Sequence, residues 1–162
     1  MLKYINTAIV MAEVPDEISL AINISGCPHK CEGCHSPWLW EDKGEPLDQD
    51  TFMGLMEENK GVSCILFMGG DNDVQSLLYL AYLAKLRGFK VAWYSGLEKF
   101  PFDDENLEYF NYLKFGPYIK ERGGLDNPNT NQVFFRVERV EIPHRHYILK
   151  DETKKFRRHE KD

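Results

Sequence analysis

The clearest fold signal in the chain reads Cys64-Ile65-Leu66-Phe67-Met68-Gly69-Gly70-Asp71. It begins with an unbroken apolar run, which is typical of a strand buried on both faces in a parallel sheet. Two glycines and an aspartate then end the strand. Apolar residues recur at helical spacing from Val74 to Ala84, and Gly88 ends that pattern. The segment therefore predicts a strand, a loop and a helix in succession.

Similar units lie on both sides of this segment. Strands are predicted at residues 18–24, 90–94, 111–115 and 133–137, and helices at about 51–60 and 103–109. Strands that alternate with helices favour an α/β fold with a parallel sheet. A complete eightfold β/α barrel needs about 250 residues, and this chain has 162. We therefore predict a partial, open β/α barrel with a mostly parallel sheet. A single domain over residues 1–149 is expected, followed by a charged tail over 150–162 that frays.

Polar motifs follow each of the strands expected to lie in the parallel sheet. They occupy residues 25–36, 69–71, 94–96 and 116–118. In open α/β sheets, ligands bind outside the carboxyl ends of the strands. We therefore expect the four segments to meet at one edge of the sheet.

Three of the four cysteines lie in the first of these segments, with the spacing Cys27-x₃-Cys31-x₂-Cys34. Clustered cysteines in a chain without a secretory signal indicate metal binding rather than a disulfide framework. Three thiolates can bind three irons of a four-iron cluster, whereas ordinary clusters of this kind use four cysteines. The remaining iron then keeps an open position, at which a substrate can coordinate.

Structural zinc is the alternative interpretation of the same cysteines. Zinc sites generally combine two pairs of closely spaced ligands, and the second pair is missing from this segment. The fourth ligand would have to be His29, His35 or Cys64. A zinc protein is colourless and does not change redox state, so the two interpretations are easily separated.

The motifs as a set resemble the radical S-adenosylmethionine superfamily, and more narrowly the activating proteins of anaerobic ribonucleoside-triphosphate reductase. The resemblance covers roughly residues 18–137. It rests on Ser25-Gly26-Cys27-Pro28-His29-Lys30-Cys31-Glu32-Gly33-Cys34-His35-Ser36-Pro37, Met68-Gly69-Gly70-Asp71, Trp93-Tyr94-Ser95-Gly96, Gly116-Pro117-Tyr118 and Asn129-Thr130-Asn131-Gln132. It implies a fold of the radical S-adenosylmethionine type.

The resemblance also implies cofactors, a reaction and partners. A reduced 4Fe–4S cluster passes one electron to the sulfonium of S-adenosylmethionine, a carbon–sulfur bond breaks, and methionine and a 5′-deoxyadenosyl radical are formed. That radical takes a hydrogen atom from a backbone glycine of the reductase large subunit. The implied protein is an oxidoreductase that activates a glycyl-radical enzyme. Its implied partners are that large subunit and a one-electron donor such as flavodoxin or ferredoxin.

Site residues follow from the same resemblance. Cys27, Cys31 and Cys34 are the implied cluster ligands and catalytic residues. The implied cofactor-binding residues are Gly33, His35, Gly69, Gly70, Asp71, Ser95 and Asn131. Asp71 stands where the family usually has a glutamate that contacts the methionyl amino group, and Ser95 stands where it has threonine. A position near a helix cap is the alternative role for Asp71.

Charge and hydropathy restrict the partners further. The formal net charge is −6, whereas proteins that follow nucleic-acid phosphates usually present a basic surface. No apolar run approaches the about 18 residues of a membrane helix, and the apolar stretch at residues 7–12 is too short for a secretory signal. We expect a cytoplasmic protein with neither nucleic acid nor membrane as a partner.

Three functions therefore compete. The first is the reductase activase. The second is another small radical enzyme, which activates a different glycyl-radical enzyme or modifies a small molecule. The third is a non-enzymatic iron–sulfur or zinc module. Cleavage of S-adenosylmethionine separates the first two from the third, and turnover without a protein partner identifies a small-molecule enzyme.

Overall fold

A computed structural model describes residues 1–34 and 36–157 of the chain. Its strands and α-helices are β1 Lys3–Val10, β2 Ser19–Ile24, β3 Glu45–Pro46, α1 Gln49–Glu58, β4 Cys64–Met68, α2 Val74–Leu86, β5 Lys90–Tyr94, β6 Tyr112–Phe115, β7 Val133–Val140 and β8 His146–Asp151. Short 3₁₀ helices cover Pro37–Leu39, Asp104–Tyr109 and Thr153–Phe156. None of the helices in this part of the chain has the length and apolar character needed to cross a membrane.

The strands form one open sheet in the order β3-β1-β2-β4-β5-β6-β7-β8. Its centre, β2-β4-β5-β6, is parallel. The flanking pairs β1–β3, β1–β2, β6–β7 and β7–β8 are antiparallel. The α/β class is confirmed, but the prediction of a mostly parallel sheet is wrong, because antiparallel pairs outnumber parallel pairs within the described residues. Curvature into a partial barrel stays a prediction.

Both faces of the central strands are buried, which explains their unbroken apolar sequences. Side chains alternate between the two faces of a strand. On β4, Ile65 and Phe67 join the larger core cluster, which includes buried residues of α1 and α2, whereas Cys64 and Leu66 join a smaller cluster on the opposite face. The larger cluster contains Trp93, whose ring stacks on Phe110 with the centroids 5.8 Å apart.

Aspartate side chains cap both α-helices at their amino ends. Asp73 Oδ1 accepts from the Ser76 N–H (3.2 Å) at the start of α2. At α1 the cap is Asp48, which accepts from the Thr51 N–H (2.8 Å). The predicted helix at 103–109 is a 3₁₀ helix, Asp104–Tyr109.

The charged C-terminal segment is folded further than the sequence suggests. The expected start of the frayed tail at residue 150 falls inside β8. Beyond it, Thr153 Oγ1 accepts from the Phe134 N–H (3.0 Å), and the Phe156 ring contacts the Phe134 ring edge-on with the centroids 4.9 Å apart. These apolar and backbone contacts anchor the segment despite its charge. Residues 158–162 of the predicted tail lie outside the described residues.

Candidate functional site

A cavity of about 240 Å³ lies at the carboxyl ends of the four parallel strands. β2, β4, β5 and β6 run in the same direction, so the segments that follow them all begin at one edge of the sheet. Each of the four polar segments predicted from the sequence contributes residues to the lining of this cavity. The expected convergence at one edge is therefore observed.

Three cysteine side chains share this cavity. Cys27, Cys31 and Cys34 all line it, and each is a partly exposed free thiol. In a tetrahedral zinc site the sulfurs would lie about 3.8 Å apart. Among the described residues, no group of three or more His, Cys, Asp or Glu side chains is arranged to hold a single metal ion. Three thiols that line one cavity suit a cluster in which each cysteine binds a different iron.

The fourth cysteine lies far from the other three. Cys64 begins β4, whereas the cavity lies at the other end of that strand, about 13 Å away at 3.3 Å per residue. Its thiol is fully buried, and burial raises its pKa to about 12. Cys64 is therefore a small core residue and does not complete a zinc site with the other three.

Backbone hydrogen bonds shape the cysteine segment. The Cys27 N–H donates to the Leu39 carbonyl (3.0 Å), which ties the segment to the 3₁₀ helix that follows it. Burial raises the pKa of the Cys27 thiol, while the backbone N–H groups of His29 and Lys30 hydrogen-bond to it and oppose that rise. Lys30 has a positive φ of 47°, which is rare for a residue other than glycine. The segment therefore holds two amides toward one of the predicted ligands.

Asp71 links the cysteine segment to the ends of β4 and β5. Its side chain is 2% exposed. Oδ1 accepts from Ser95 Oγ (2.7 Å), and Oδ2 accepts from the Gly96 N–H (2.8 Å) and from His29 Nε2 (2.6 Å). A Cβ on Gly96 would lie 2.6 Å from His29 Cδ2, so the imidazole packs directly on the glycine backbone. One buried carboxylate thus joins three of the four segments that line the cavity.

A lysine supplies positive charge to the same space. Lys114 lies on β6 and lines the cavity, with Nζ 5.9 Å from the centre of the Tyr94 ring. Burial lowers the pKa of its ammonium, and the nearby Asp71 and cysteine thiols oppose that effect. Lys114 was not predicted from the sequence. The available signal was a single lysine in the otherwise apolar strand Tyr112–Phe115.

Residues 18–121 match the sequence profile of a family described as "4Fe-4S single cluster domain". This chain belongs to that 4Fe–4S domain family. The matched region is nearly two thirds of the chain and spans β2 to β6 together with the four segments at the cavity. No curated protein matches the chain significantly, and no solved structure does.

The cavity of this 4Fe–4S domain has the donor chemistry that a cluster needs. Three thiols can supply iron ligands, and the Lys114 ammonium offsets the negative charge of a thiolate-bound cluster. Trp40 also lines the cavity, and its Nε1 is buried without a hydrogen-bond partner among the described residues. Cluster sulfurs accept hydrogen bonds. An unused buried donor beside three thiols therefore fits such a cluster.

The structure separates the predicted cofactor-binding residues into two groups. Gly69, Asp71 and Ser95 line the cavity together with the cysteines. Gly33, Gly70 and Asn131 are not among the residues that line it, and His35 lies outside the described residues.

The three predicted residues that do not line the cavity, Gly33, Gly70 and Asn131, make contacts elsewhere. A Cβ on Gly33 would lie 3.3 Å from Tyr118 Cε1, and one on Gly70 would lie 2.6 Å from Leu77 Cδ1, so each glycine permits close packing. Asn131 Nδ2 donates to the Pro117 carbonyl (3.0 Å), behind the segment that follows β6. Its neighbour Gln132 does line the cavity.

Proposed function

We propose that this 4Fe–4S domain is a radical S-adenosylmethionine activase that generates a glycyl radical on the large subunit of an anaerobic ribonucleoside-triphosphate reductase. One observation carries the proposal: the cavity brings together three cysteines, while the fourth cysteine of the chain lies at the opposite end of β4. A cluster that serves only as an electron carrier uses four cysteines. Three would leave one iron without a cysteine ligand, and a second cofactor could bind there.

Each part of the cavity has a role in this proposal. Cys27, Cys31 and Cys34 hold the cluster. When bound, the cluster and S-adenosylmethionine supply the chemistry: one-electron reduction of the sulfonium, with release of methionine and a 5′-deoxyadenosyl radical. Lys114 supplies a cation for the carboxylate of the methionyl group. Gly69, with a positive φ of 101° and the Ile24 carbonyl 3.1 Å from where a Cβ would lie, allows close backbone approach at the end of β4.

The target and the electron donor of this proposed activase rest on the motif resemblance. The cysteines that line the cavity are partly exposed, which suits a cavity covered by a partner protein. The glycine loop of the reductase large subunit is the proposed cover. A flavodoxin or ferredoxin is the proposed one-electron donor.

Product analysis tests the proposed chemistry. The protein is reconstituted anaerobically with iron and sulfide, then mixed with a strong reductant and S-adenosylmethionine. We expect methionine and 5′-deoxyadenosine in equal amounts. A cluster-loaded protein that forms neither product, even with the reductase large subunit present, would be an electron carrier. A colourless protein that retains zinc would refute the cluster itself.

Isotope transfer tests the proposed target. The reductase large subunit is prepared with deuterated glycine and mixed with the activase, reductant and S-adenosylmethionine. We expect a glycyl radical by electron paramagnetic resonance and one deuterium in the 5′-deoxyadenosine. Radical cleavage without a glycyl radical, combined with turnover of a free small molecule, would support the small-molecule alternative.

A further inference from the structure

We propose that Asp71 is a positioning residue that acts through His29 to hold the cysteine segment in the shape that binds the cluster. We call the contact between these two side chains the clasp. The inference rests on the cysteine ligation proposed above and does not depend on the radical reaction. It gives Asp71 a role distinct from the direct cofactor contact that the sequence suggests.

The carboxylate of Asp71 is already engaged within the chain. Both of its oxygens accept hydrogen bonds, from Ser95 Oγ, the Gly96 N–H and His29 Nε2. Its side chain is 2% exposed. An ionised carboxylate offers about four acceptor positions, so most of its capacity is used by these contacts. The shortest of these contacts is with His29, whose Nε2 lies 2.6 Å from Oδ2. The two residues are 42 positions apart in the sequence.

The clasp holds the cysteine segment against the sheet. His29 lies two residues after the first cysteine, whereas Asp71 follows β4. The imidazole also packs on Gly96, where any larger residue would displace it. The Asp71 side chain and the Gly96 backbone, at the ends of two different strands, therefore determine where His29 sits.

The position of His29 matters because its backbone lies beside Cys27. The N–H groups of His29 and Lys30 are close enough to the Cys27 thiol to lower its pKa. Lys30 has the left-handed backbone that non-glycine residues keep only when surrounding contacts hold it. The clasp is the side-chain contact next to this turn. Losing it releases both amides from the sulfur.

Amide hydrogen bonds to a ligand sulfur stabilise the more negative, reduced state of an iron–sulfur cluster. Loss of the clasp should therefore lower the midpoint potential of the cluster and weaken its retention. Outer contacts of this kind typically change metal affinity 10–100-fold. We expect about tenfold faster loss of the cluster to a chelator when the clasp is broken.

A matched pair of variants tests the clasp. In His29→Gln the amide reaches about as far as imidazole Nε2 and can still donate to Asp71. In His29→Asn the shorter amide cannot. Both are neutral, so a difference between them reports the contact rather than charge. We expect His29→Gln to keep a midpoint potential and cluster lifetime near those of the unmodified protein, and His29→Asn to show the lower potential and faster loss.

A double-mutant cycle tests whether Asp71 acts through His29. Asp71→Ala should accelerate cluster loss about as much as His29→Asn, and the double variant should lose its cluster no faster than Asp71→Ala alone. The inference is overturned if His29→Asn behaves like the unmodified protein. It is also overturned if Asp71→Ala weakens only S-adenosylmethionine binding while cluster lifetime is unchanged. Circular dichroism of each variant checks that the fold is retained.

These outcomes are distinguishable from failure of the proposed function. If the unmodified protein assembles a cluster but does not cleave S-adenosylmethionine, the activase proposal fails and the clasp can still be measured by potential and chelation. If the cluster forms and cleaves the cofactor but both His29 variants behave alike, only the clasp fails.

Discussion

Each end of the parallel strands carries a buried carboxylate, and the two have different kinds of partner. At the amino end, the Glu17 side chain is 3% exposed and accepts from Tyr112 Oη (2.8 Å) and Lys90 Nζ (3.0 Å). These contacts connect the starts of strands to one another. At the carboxyl end, Asp71 connects the sheet to the cysteine segment through His29. The first arrangement serves the fold alone, and the second serves a segment that lines a cavity.

The cysteine thiols also differ between the two ends of the parallel strands. Cys64 at the amino end is fully buried, and its raised pKa of about 12 keeps it protonated. The three cysteines at the carboxyl end are partly exposed and line the cavity. The same sheet thus places an inert cysteine and three accessible ones at opposite ends of its central strands. Substitutions at the two ends should therefore have separable effects on stability and on cluster binding.

The largest predicted effect is loss of the cluster in Cys31→Ala. Removing one of three thiolates leaves two irons without a protein ligand, so anaerobic reconstitution should yield little or no bound iron and sulfide. Iron and sulfide analysis, together with the visible absorption of the cluster, measures this directly.

Cys64→Ala is the matched control at the other end of the sheet. It should keep a full cluster and cost about 1 kcal/mol of unfolding free energy, the usual scale for a small change in the core. A Cys31→Ala variant with a full cluster, or a Cys64→Ala variant without one, would show that the two ends are not divided as described.

Strands with strong apolar patterns could be predicted from the sequence, whereas strands without them could not. The apolar runs at β4 and β5 predicted those strands with the bounds observed, Cys64–Met68 and Lys90–Tyr94. β1 and β8 were missed because most of their residues are half-buried or exposed. Pairing with neighbouring strands, rather than a local pattern, determines where they lie. These omissions hid the antiparallel pairs β1–β2 and β7–β8. β6 and β7 were both predicted, but the antiparallel direction of their pairing was not.

In the candidate site, likewise, residues that form a local sequence pattern could be predicted, and residues that only the fold brings together could not. The spacing of the three cysteines is a local pattern and was recognised. The contact between His29 and Asp71 joins residues 42 positions apart, and nothing in either segment alone indicates it. Lys114 was likewise missed, because its role depends on which strand end it shares with the cysteines.

Tyr112→Phe tests the amino end. The substitution keeps the ring that stacks on Phe134, with the centroids 5.7 Å apart, and removes the hydroxyl that donates to Glu17. A hydrogen bond to a charged group contributes about 1.5–3 kcal/mol, so urea denaturation should show a loss of that order, with an unchanged cluster content.

The exposed pair formed by Tyr79 and Gln49 supplies the control for that variant. Tyr79 Oη donates to Gln49 Oε1 (2.7 Å) on the surface, and Tyr79→Phe should change the unfolding free energy by no more than about 0.5 kcal/mol. Loss of the cluster in Tyr112→Phe without a loss of stability would mean that the amino end also contributes to the site.

Acidification provides a smaller test of the same carboxylate. Burial raises the pKa of Glu17, but hydrogen bonds from Tyr112, Lys90 and Ser63 outweigh it, so the pKa lies below its ordinary value of 4.5. A lowered folded-state pKa stabilises the protein above 4.5, and this contribution is lost as the pH falls through the folded-state value. The unfolding free energy of the unmodified protein should therefore fall more on acidification than that of Glu17→Gln. Equal slopes for the two proteins would contradict the assignment.

The sign of the effect predicted for Trp40 should depend on the cluster. Trp40→Phe keeps an aromatic ring at the cavity and removes the buried N–H that has no partner among the described residues. Without a cluster, an unpaired buried donor costs about 1–3 kcal/mol, so the variant should be as stable as the unmodified protein or more stable. With the cluster bound, the same N–H gains an acceptor, and the variant should lose the cluster to a chelator a few-fold faster.

Trp38→Phe is the matched control for Trp40→Phe. Trp38 lies two residues earlier, in the 3₁₀ helix that Trp40 caps, and is 46% exposed, so Trp38→Phe removes an indole N–H that water can satisfy. Cluster lifetime and stability should both stay close to those of the unmodified protein. A destabilised Trp40→Phe protein in the cluster-free state would mean that the indole already has a partner within the chain. Opposite signs in the two states would show that a bound group satisfies the Trp40 N–H, which would distinguish the carboxyl end from the self-contained Glu17 network.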